Sequence, residues 1–332
     1  MILNTDPLVS IGLPVLNGGA ELEARIASLL SQSYQNIELI ICDNASTDRT
    51  QEISIAATLN DNRVRYIRNK ENIGNARNYN KAFQEARGEL FMWAAHDDIH
   101  SFDFINECVT KLIANPKAVL CQTKVGVYVQ DMDHLIYIAE LKSFRNNLEI
   151  TERYKQALYN LPAVALYGVF RTEIARQIPG FRLIPGGDLL WIQELSLRGD
   201  FIYSDKLLFH YIARKYWNSF ADDLRNLTRE SDLSNKSVAR VAKTFHDRLS
   251  GIKLLDVSRM TKVKLIKVAT QFTIRNSLLS IILRRVLPED SSRWVLKIRS
   301  YVYWRFMHNP NFQIVDEDLF KSRVVNPMIG IR

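Results

Sequence analysis

Adjacent carboxylates stand first among the residues whose chemistry is worth pursuing. Asp97 and Asp98 follow the apolar run 90–94 and come directly after His96. Neighbouring acids repel each other, and a divalent cation or a set of hydrogen-bond donors relieves that repulsion. A solvated turn is the plain alternative. Asp43 ends a second apolar run, 38–42, and opens the polar turn 43–48. A carboxylate there accepts from an imide or amide N–H of a nucleobase, or closes an Asx turn on its own chain. Arg77 lies just after Asn72-Ile73-Gly74 at the start of a helical pattern, where a guanidinium can meet phosphate oxygens two at a time or simply face solvent. Asp188 sits behind Gly186-Gly187, at the start of a helix where aspartate is an ordinary cap, and the two glycines allow a ligand to approach the backbone closely or simply make a loop.

These side chains need elements to hold them, and the hydropathy pattern supplies a repeating set. Residues 9–13 read as a strand. Leu22, Ile26, Leu29 and Leu30 then recur on one helical face. Runs 38–42, 64–67 and 90–94 read as further strands, with helices predicted from about residue 50, after Gly74 with Tyr79, Phe83 and Ala86 inward, and through Ile105, Cys108, Val109, Leu112 and Ile113. Alternation of this kind predicts a largely parallel sheet covered by helices, and in such sheets ligand sites gather at the carboxyl ends of the strands. Residues 14–17, Asp43 and 96–98 all lie at such ends. Further on, 125–129 and 135–138 read as strands, 152–159 as a helix, 185–187 as a loop and 188–199 as an amphipathic helix. From about residue 234 the pattern is helical, with two or three more helices expected up to residue 306.

The order of these segments resembles the inverting nucleotide-sugar glycosyltransferases of family 2, which have the GT-A fold. The likeness is carried by Val9-Ser10-Ile11-Gly12-Leu13-Pro14-Val15-Leu16-Asn17, by Ile40-Ile41-Cys42-Asp43-Asn44-Ala45-Ser46-Thr47-Asp48, by Asn72-Ile73-Gly74-Asn75-Ala76-Arg77-Asn78 and by Gly88-Glu89 up to His96-Asp97-Asp98. Gly168-Val169-Phe170-Arg171 and Gly186-Gly187-Asp188 continue it, so that it covers about residues 7–215. The resemblance implies that Pro14, Val15 and Asn17 line a nucleoside pocket, that Asp43 binds the base and that Arg77 approaches the diphosphate. It implies that Asp97 contacts the donor's ribose or sugar, with His96 beside it, and that Asp98 ligates Mg²⁺ or Mn²⁺. Asp188 matches the general base that deprotonates the acceptor hydroxyl, for single displacement with inversion. Leu16 replaces a frequent Tyr, and His96 a frequent acid or small polar residue. His210-Tyr211-Ile212-Ala213-Arg214 departs from the Arg-x-His order of many relatives, which leaves His210 as a second metal candidate or a structural histidine. Tyr167, Trp191 and Trp217 are candidates for a sugar-stacking wall, with core packing as the other reading.

Composition bounds the rest. The chain has 332 residues, 47% hydrophobic and 24% charged, the make-up of a globular protein with a full core. Three cysteines, Cys42, Cys108 and Cys121, form neither a disulfide framework nor a zinc ribbon. The net charge of +8 divides unequally. Residues 1–200 hold 20 Lys and Arg against 24 Asp and Glu, whereas residues 201–332 hold 24 against 12. We therefore expect a catalytic domain at 1–215, with a nucleotide-sugar half (1–125) and an acceptor half (126–215), followed by a basic, mainly helical region at 216–332. The apolar stretch 265–287 carries Lys267, Arg275, Arg284 and Arg285 and is not expected to span a membrane. With no secretory signal read at the N-terminus, a cytoplasmic protein is expected, peripheral at the inner membrane face. The expected donor is a UDP-sugar and the acceptor a saccharide or lipid-linked saccharide, in cell-envelope polysaccharide or glycolipid synthesis. The basic segment 259–305 is expected to meet an anionic membrane, or a second copy of the chain. A non-catalytic carbohydrate-binding or nucleic-acid-binding protein on the same scaffold is the rival, and an acidic front domain argues against nucleic acid.

Overall fold

The computed structural model describes residues 3, 5–19, 21–129, 132–144, 148–184, 186–213, 237–275 and 311–316. Strands β1 (Val9–Val15), β2 (Ile37–Asp43), β3 (Val64–Arg68) and β4 (Leu90–Trp93) form the parallel half of the sheet, in the order β4-β1-β2-β3. Helices α1 (Glu21–Leu30), α2 (Thr50–Asn60) and α3 (Asn75–Gln84) connect them. Every residue of β1 and β2 is buried, as expected of central strands covered on both faces.

The strand period of two sorts side chains into two cores. Leu39 and Ile41 of β2 join Leu90 and Met92 of β4 on one face. Ile40, Cys42, Phe91 and Trp93 point to the other, which is an aromatic layer. There Trp93 meets Trp191 edge-on at 5.0 Å between ring centroids, and Phe170 at 5.2 Å. Trp191 is fully buried in this layer, so it is a core residue and not part of a sugar-stacking wall. Trp217 lies outside the described residues.

The second half is mixed. After β5 (Ile99–His100) and α4 (Phe104–Ala114) come β6 (Ala118–Val129), β7 (Leu135–Ala139), α5 (Ile150–Asn160), β8 (Val169–Arg171), α6 (Thr172–Arg176), α7 (Gly187–Leu195) and β9 (Asp200–Ala213). β8 joins β4 to β6 with antiparallel pairing on both sides. β9 runs parallel to β6 along its length and also pairs antiparallel with β5, Ile99 beside His210. β10 (Phe312–Ile314) adds an antiparallel edge to β7.

Helices α8 (Ser237–Lys253) and α9 (Arg259–Thr273) realise the expected C-terminal helices, and 276–310 lies outside the described residues. They pack on the rest of the chain through a third core, where Ile252 of α8 and Leu265 and Ala269 of α9 meet Tyr154 and Leu158 of α5 and Leu197. Among the described residues no helix is long and apolar enough to cross a membrane.

Candidate active site

The carboxyl ends of β1, β2 and β4 open on a cleft of about 1020 Å³. Pro14, Val15 and Leu16 line it from β1, Asn44 from the turn after β2, and Ala95, His96 and Asp97 from the segment after β4. Asn75, Asn78 and Tyr79 of α3, with Tyr167 and Tyr211, close the other side. A smaller cavity of about 400 Å³ adjoins it, lined by Asp188, Arg182, Phe181 and Leu166. Asn75, Tyr79 and Tyr167 line both cavities, so the two are neighbours across a shared aromatic and amide wall.

Hydrogen bonds explain how the walls are fixed. Asn44 donates to Asn72 Oδ1 at 2.9 Å and its own Oδ1 accepts the Ile73 N–H at 2.9 Å. Asn69 donates to Asn78 Oδ1 at 2.9 Å, and Asn78 donates to the Cys42 carbonyl at 2.7 Å. This amide network joins the ends of β2 and β3 to α3. Gly74, at φ 86°, makes the turn into α3 that a side chain would strain. Asn80 and Phe181 exchange two bonds, Nδ2 to carbonyl at 3.1 Å and N–H to Oδ1 at 2.6 Å, which ties α3 to the segment leading into α7. The indole N–H of Trp93 donates to the Tyr79 carbonyl at 3.1 Å, so the core itself supports the shared wall.

Several of the expected site residues are not part of the cleft wall. Asp97 is half-buried and faces the cleft. Asp98, the expected metal ligand, is 1% exposed, and its Oδ1 accepts the Ile212 N–H of β9 at 3.1 Å. Of the two acids it is Asp97 that stands in the cleft. His210 is held by Tyr128 at Nδ1 and Ser101 at Nε2, each at 3.2 Å, and does not line the cleft. Asp43 is fully buried beneath it: Oδ1 accepts the Ser46 N–H at 2.8 Å and Oδ2 the Tyr66 hydroxyl at 2.7 Å, with Arg68 at 3.5 Å. The Asx-turn reading therefore describes Asp43, and the adjacent Asn44 takes the place at the wall. Burial and the neighbouring Asp43 push the Tyr66 phenol up to about 12. Asn17 is exposed at φ 54°, and its amide joins loops: its N–H donates to Ser46 Oγ and its Oδ1 accepts the Thr47 N–H, each at 2.9 Å. Arg77 donates to the carbonyl of Ile73, in the turn before its helix, at 3.3 Å and is not among the residues of the cleft wall.

Asp188 occupies the first turn of α7, one residue inside it rather than at the cap. Gly186 takes the preceding position at φ 73°, and a Cβ on Gly187 would lie 2.1 Å from the Arg182 carbonyl. Two glycines are thus required for the chain to pass this point. Burial raises the Asp188 carboxyl above its ordinary value, opposed by the Leu189 N–H donated to Oδ1 at 2.8 Å. Tyr79, Tyr167 and Tyr211 are all raised by burial and by the acids near them, and stay neutral hydroxyl donors at ordinary pH. Sequence reasoning placed Tyr79 inward on its helix and missed Tyr211, whose position depends on how β9 pairs with β6 and β5.

Residues 10–168 match the family model described as glycosyl transferase family 2. That stretch, just under half of the chain, is what resembles the family. The chain is similar to a Rickettsia felis glycosyltransferase at 38% identity over 94 residues, 28% of this chain and 15% of that one. It is similar to the glycosyltransferase GlyG of Streptococcus pneumoniae at 38% over 92 residues, 28% of this chain and 31% of that one. A Haemophilus influenzae glycosyltransferase is 36% identical over 109 residues, 33% of this chain and 44% of that one. The chain thus spans less than half the length of each of these curated relatives. In shape it resembles residues 1–349 of S. aureus TarS in complex with UDP-GlcNAc, with a TM-score of 0.61 at 14% identity, covering 89% of this chain and 80% of that one. It also resembles the mannosyltransferase PcManGT of Pyrobaculum calidifontis in complex with GDP-Man and Mn²⁺, with a TM-score of 0.53 at 12% identity, covering 98% and 86%. The fold is GT-A.

Among the described residues no three carboxylate, imidazole or thiolate groups gather to hold a metal by themselves. The cleft offers Asp97, with His96 beside it. Were a divalent cation bound here, Asp97 would hold it with its carboxylate, a single protein ligand of the kind such cations accept when the rest of the shell comes from elsewhere.

Proposed function

We propose that this chain transfers a sugar from a nucleotide-diphospho-sugar to an acceptor hydroxyl with inversion at the anomeric carbon. The observation that carries the reading is the pairing of two adjoining cavities, one presenting Asp97 and the other Asp188, across Tyr79 and Tyr167. The nucleoside would lie along Pro14, Val15 and Leu16, with its base edge toward the amides of Asn44 and Asn72. Asp97 would hold Mg²⁺ or Mn²⁺, which when bound neutralises charge on the leaving diphosphate. Asp188 accepts the acceptor's hydroxyl proton as that oxygen bonds to the anomeric carbon. The bond from that carbon to the diphosphate breaks, and the nucleoside diphosphate leaves with the electron pair. A carboxylate whose pKa is raised by burial is a better proton acceptor near neutral pH than an ordinary aspartate. The tyrosine hydroxyls can donate to sugar and phosphate oxygens without carrying charge.

A UDP-sugar is the donor we favour, supported by the TarS likeness in shape. The acceptor is a saccharide or lipid-linked saccharide of the cell envelope, reached from the cytoplasmic side with α9 turned to an anionic surface. A thermal-shift screen of nucleotide sugars and nucleoside diphosphates tests the donor assignment, because a ligand of the folded state raises apparent stability by mass action. We expect stabilisation by one nucleoside class in Mn²⁺ and its loss with EDTA. No stabilisation by any member of the panel would refute the assignment.

A further inference from the structure

At the end of the sheet away from the cleft lies a second polar concavity, of about 760 Å³. The parallel strands β6 and β9 begin there, Ala118 beside Asp200, and β8 ends there, with Arg171 beside Leu90 at the start of β4. Lys117, Arg153, Arg171 and Arg198 line it, and Asp200 is its only acidic lining residue. Four cations against one carboxylate leave a formal charge of +3 around this open concavity.

Part of that charge is already committed. Arg153 donates from Nη1 to Asp200 at 2.7 Å and to the Leu148 carbonyl at 3.0 Å. Arg198 donates from Nη1 to the Glu194 carbonyl at 2.9 Å, in the last turn of α7. Arg171 is different in kind. It is 2% exposed, its Nε and Nη2 donate to the Ala118 and Leu112 carbonyls at 2.7 and 2.8 Å, and its buried Nη1 has no hydrogen-bond partner among the described residues. A guanidinium donor buried without an acceptor is costly, and buried charges in proteins are ordinarily paired. Burial depresses the pKa of Arg153, Arg171 and Arg198 alike, a desolvation cost that an anion in the concavity would offset.

We infer that this concavity is a phosphate-binding site separate from the donor cleft, with Arg171, Arg198 and Lys117 around the anion and Arg153 kept in place by Asp200. Guanidinium groups match phosphate oxygens in geometry, and a lysine adds a mobile point charge. The occupant is orthophosphate itself or a phosphate monoester carried by a larger molecule.

Calorimetric titration of the full chain with inorganic phosphate, and separately with glycerol 1-phosphate, at constant ionic strength in chloride tests this. We expect saturable binding of one equivalent, with Kd on the order of millimolar. Lys117→Gln and Arg198→Gln should each weaken it about fivefold or more. Asp97→Asn, which alters only the cleft, should leave it unchanged. Lys117 is exposed, so Lys117→Gln keeps the test available should Arg198→Gln fail to fold. Glycerol 1-phosphate binding about tenfold tighter than orthophosphate identifies a monoester as the occupant. Equal affinities identify orthophosphate. Absence of saturable binding with both probes, indifference to Lys117→Gln, or weakening by Asp97→Asn would overturn the proposal.

Discussion

Two adjacent aspartates with different surroundings carry most of the residue-scale account. Asp97 faces the cleft, whereas Asp98 accepts an N–H from Ile212, 114 residues further along the chain. Asp97→Asn should therefore abolish metal-dependent nucleoside diphosphate binding while the unfolding midpoint stays near wild type. Asp98→Ala should instead destabilise the fold by about 1–3 kcal/mol, the usual cost of stranding a buried backbone donor. Equilibrium binding and denaturant unfolding of both variants check the pair, and interchanged phenotypes would restore Asp98 as the metal ligand. The sequence marked this place correctly as a strand end with paired acids. It did not reveal which acid faces the cleft, because that depends on where β9 pairs with β5. His100 makes a second prediction at this scale. It is stacked on Phe209 at 4.7 Å and buried, and burial depresses its pKa from 6.5 to about 3. Above pH 6.5 both folded and unfolded states hold it neutral. As pH falls from there toward about 3, only the unfolded state takes up the proton, so the folded state loses about 1.4 kcal/mol per unit from this group. His100→Phe should flatten the acid limb of the stability profile across that window, measured by urea unfolding, and an unchanged slope would contradict the assignment.

Elements formed by strong periodicity were legible in the chain, while those formed by return pairing were not. Strands β1, β2 and β4 and the helices between them lie close to the runs that predicted them, since all-apolar strands and one-faced helices have one way to bury their side chains. β8 has only three residues and is a strand because it bridges β4 and β6. β9, with 14 residues, takes its character from β6 and β5 together. Helix α9 shows the limit from another side. Leu265 and Ala269 are buried against α5 and α8, while Met260, Val263, Lys264 and Lys267 are exposed on the opposite face. Apolar and basic groups side by side on an exposed helical face suit an anionic interface. The full chain should float with anionic vesicles and weakly with neutral ones, and Lys264→Glu with Lys267→Glu should reduce that flotation. Indifference of the wild-type chain to both vesicle types would remove the membrane reading and leave the expected contact between copies as the account of this face.

On the scale of the whole molecule, the sheet brings the cleft with Asp97 and the cavity with Asp188 together from segments distant in sequence. The cleft is built at the ends of β1, β2 and β4, and Asp188 is delivered by α7, which packs by Trp191 into the aromatic core under the same sheet. α8 and α9 brace that arrangement through α5, and Arg248 of α8 donates to Gln193 Oε1 of α7 at 3.2 Å. In the proposed mechanism Asp188 acts on the acceptor and leaves the donor site alone. The most direct measurement is sugar transfer by Asp188→Asn, set beside its donor affinity in Mn²⁺. Turnover should fall by about 10²–10⁴-fold, the range for loss of a general base, while the donor Kd stays within about threefold of wild type. Transfer within about tenfold of wild type at unchanged donor affinity would show that Asp188 is not the base.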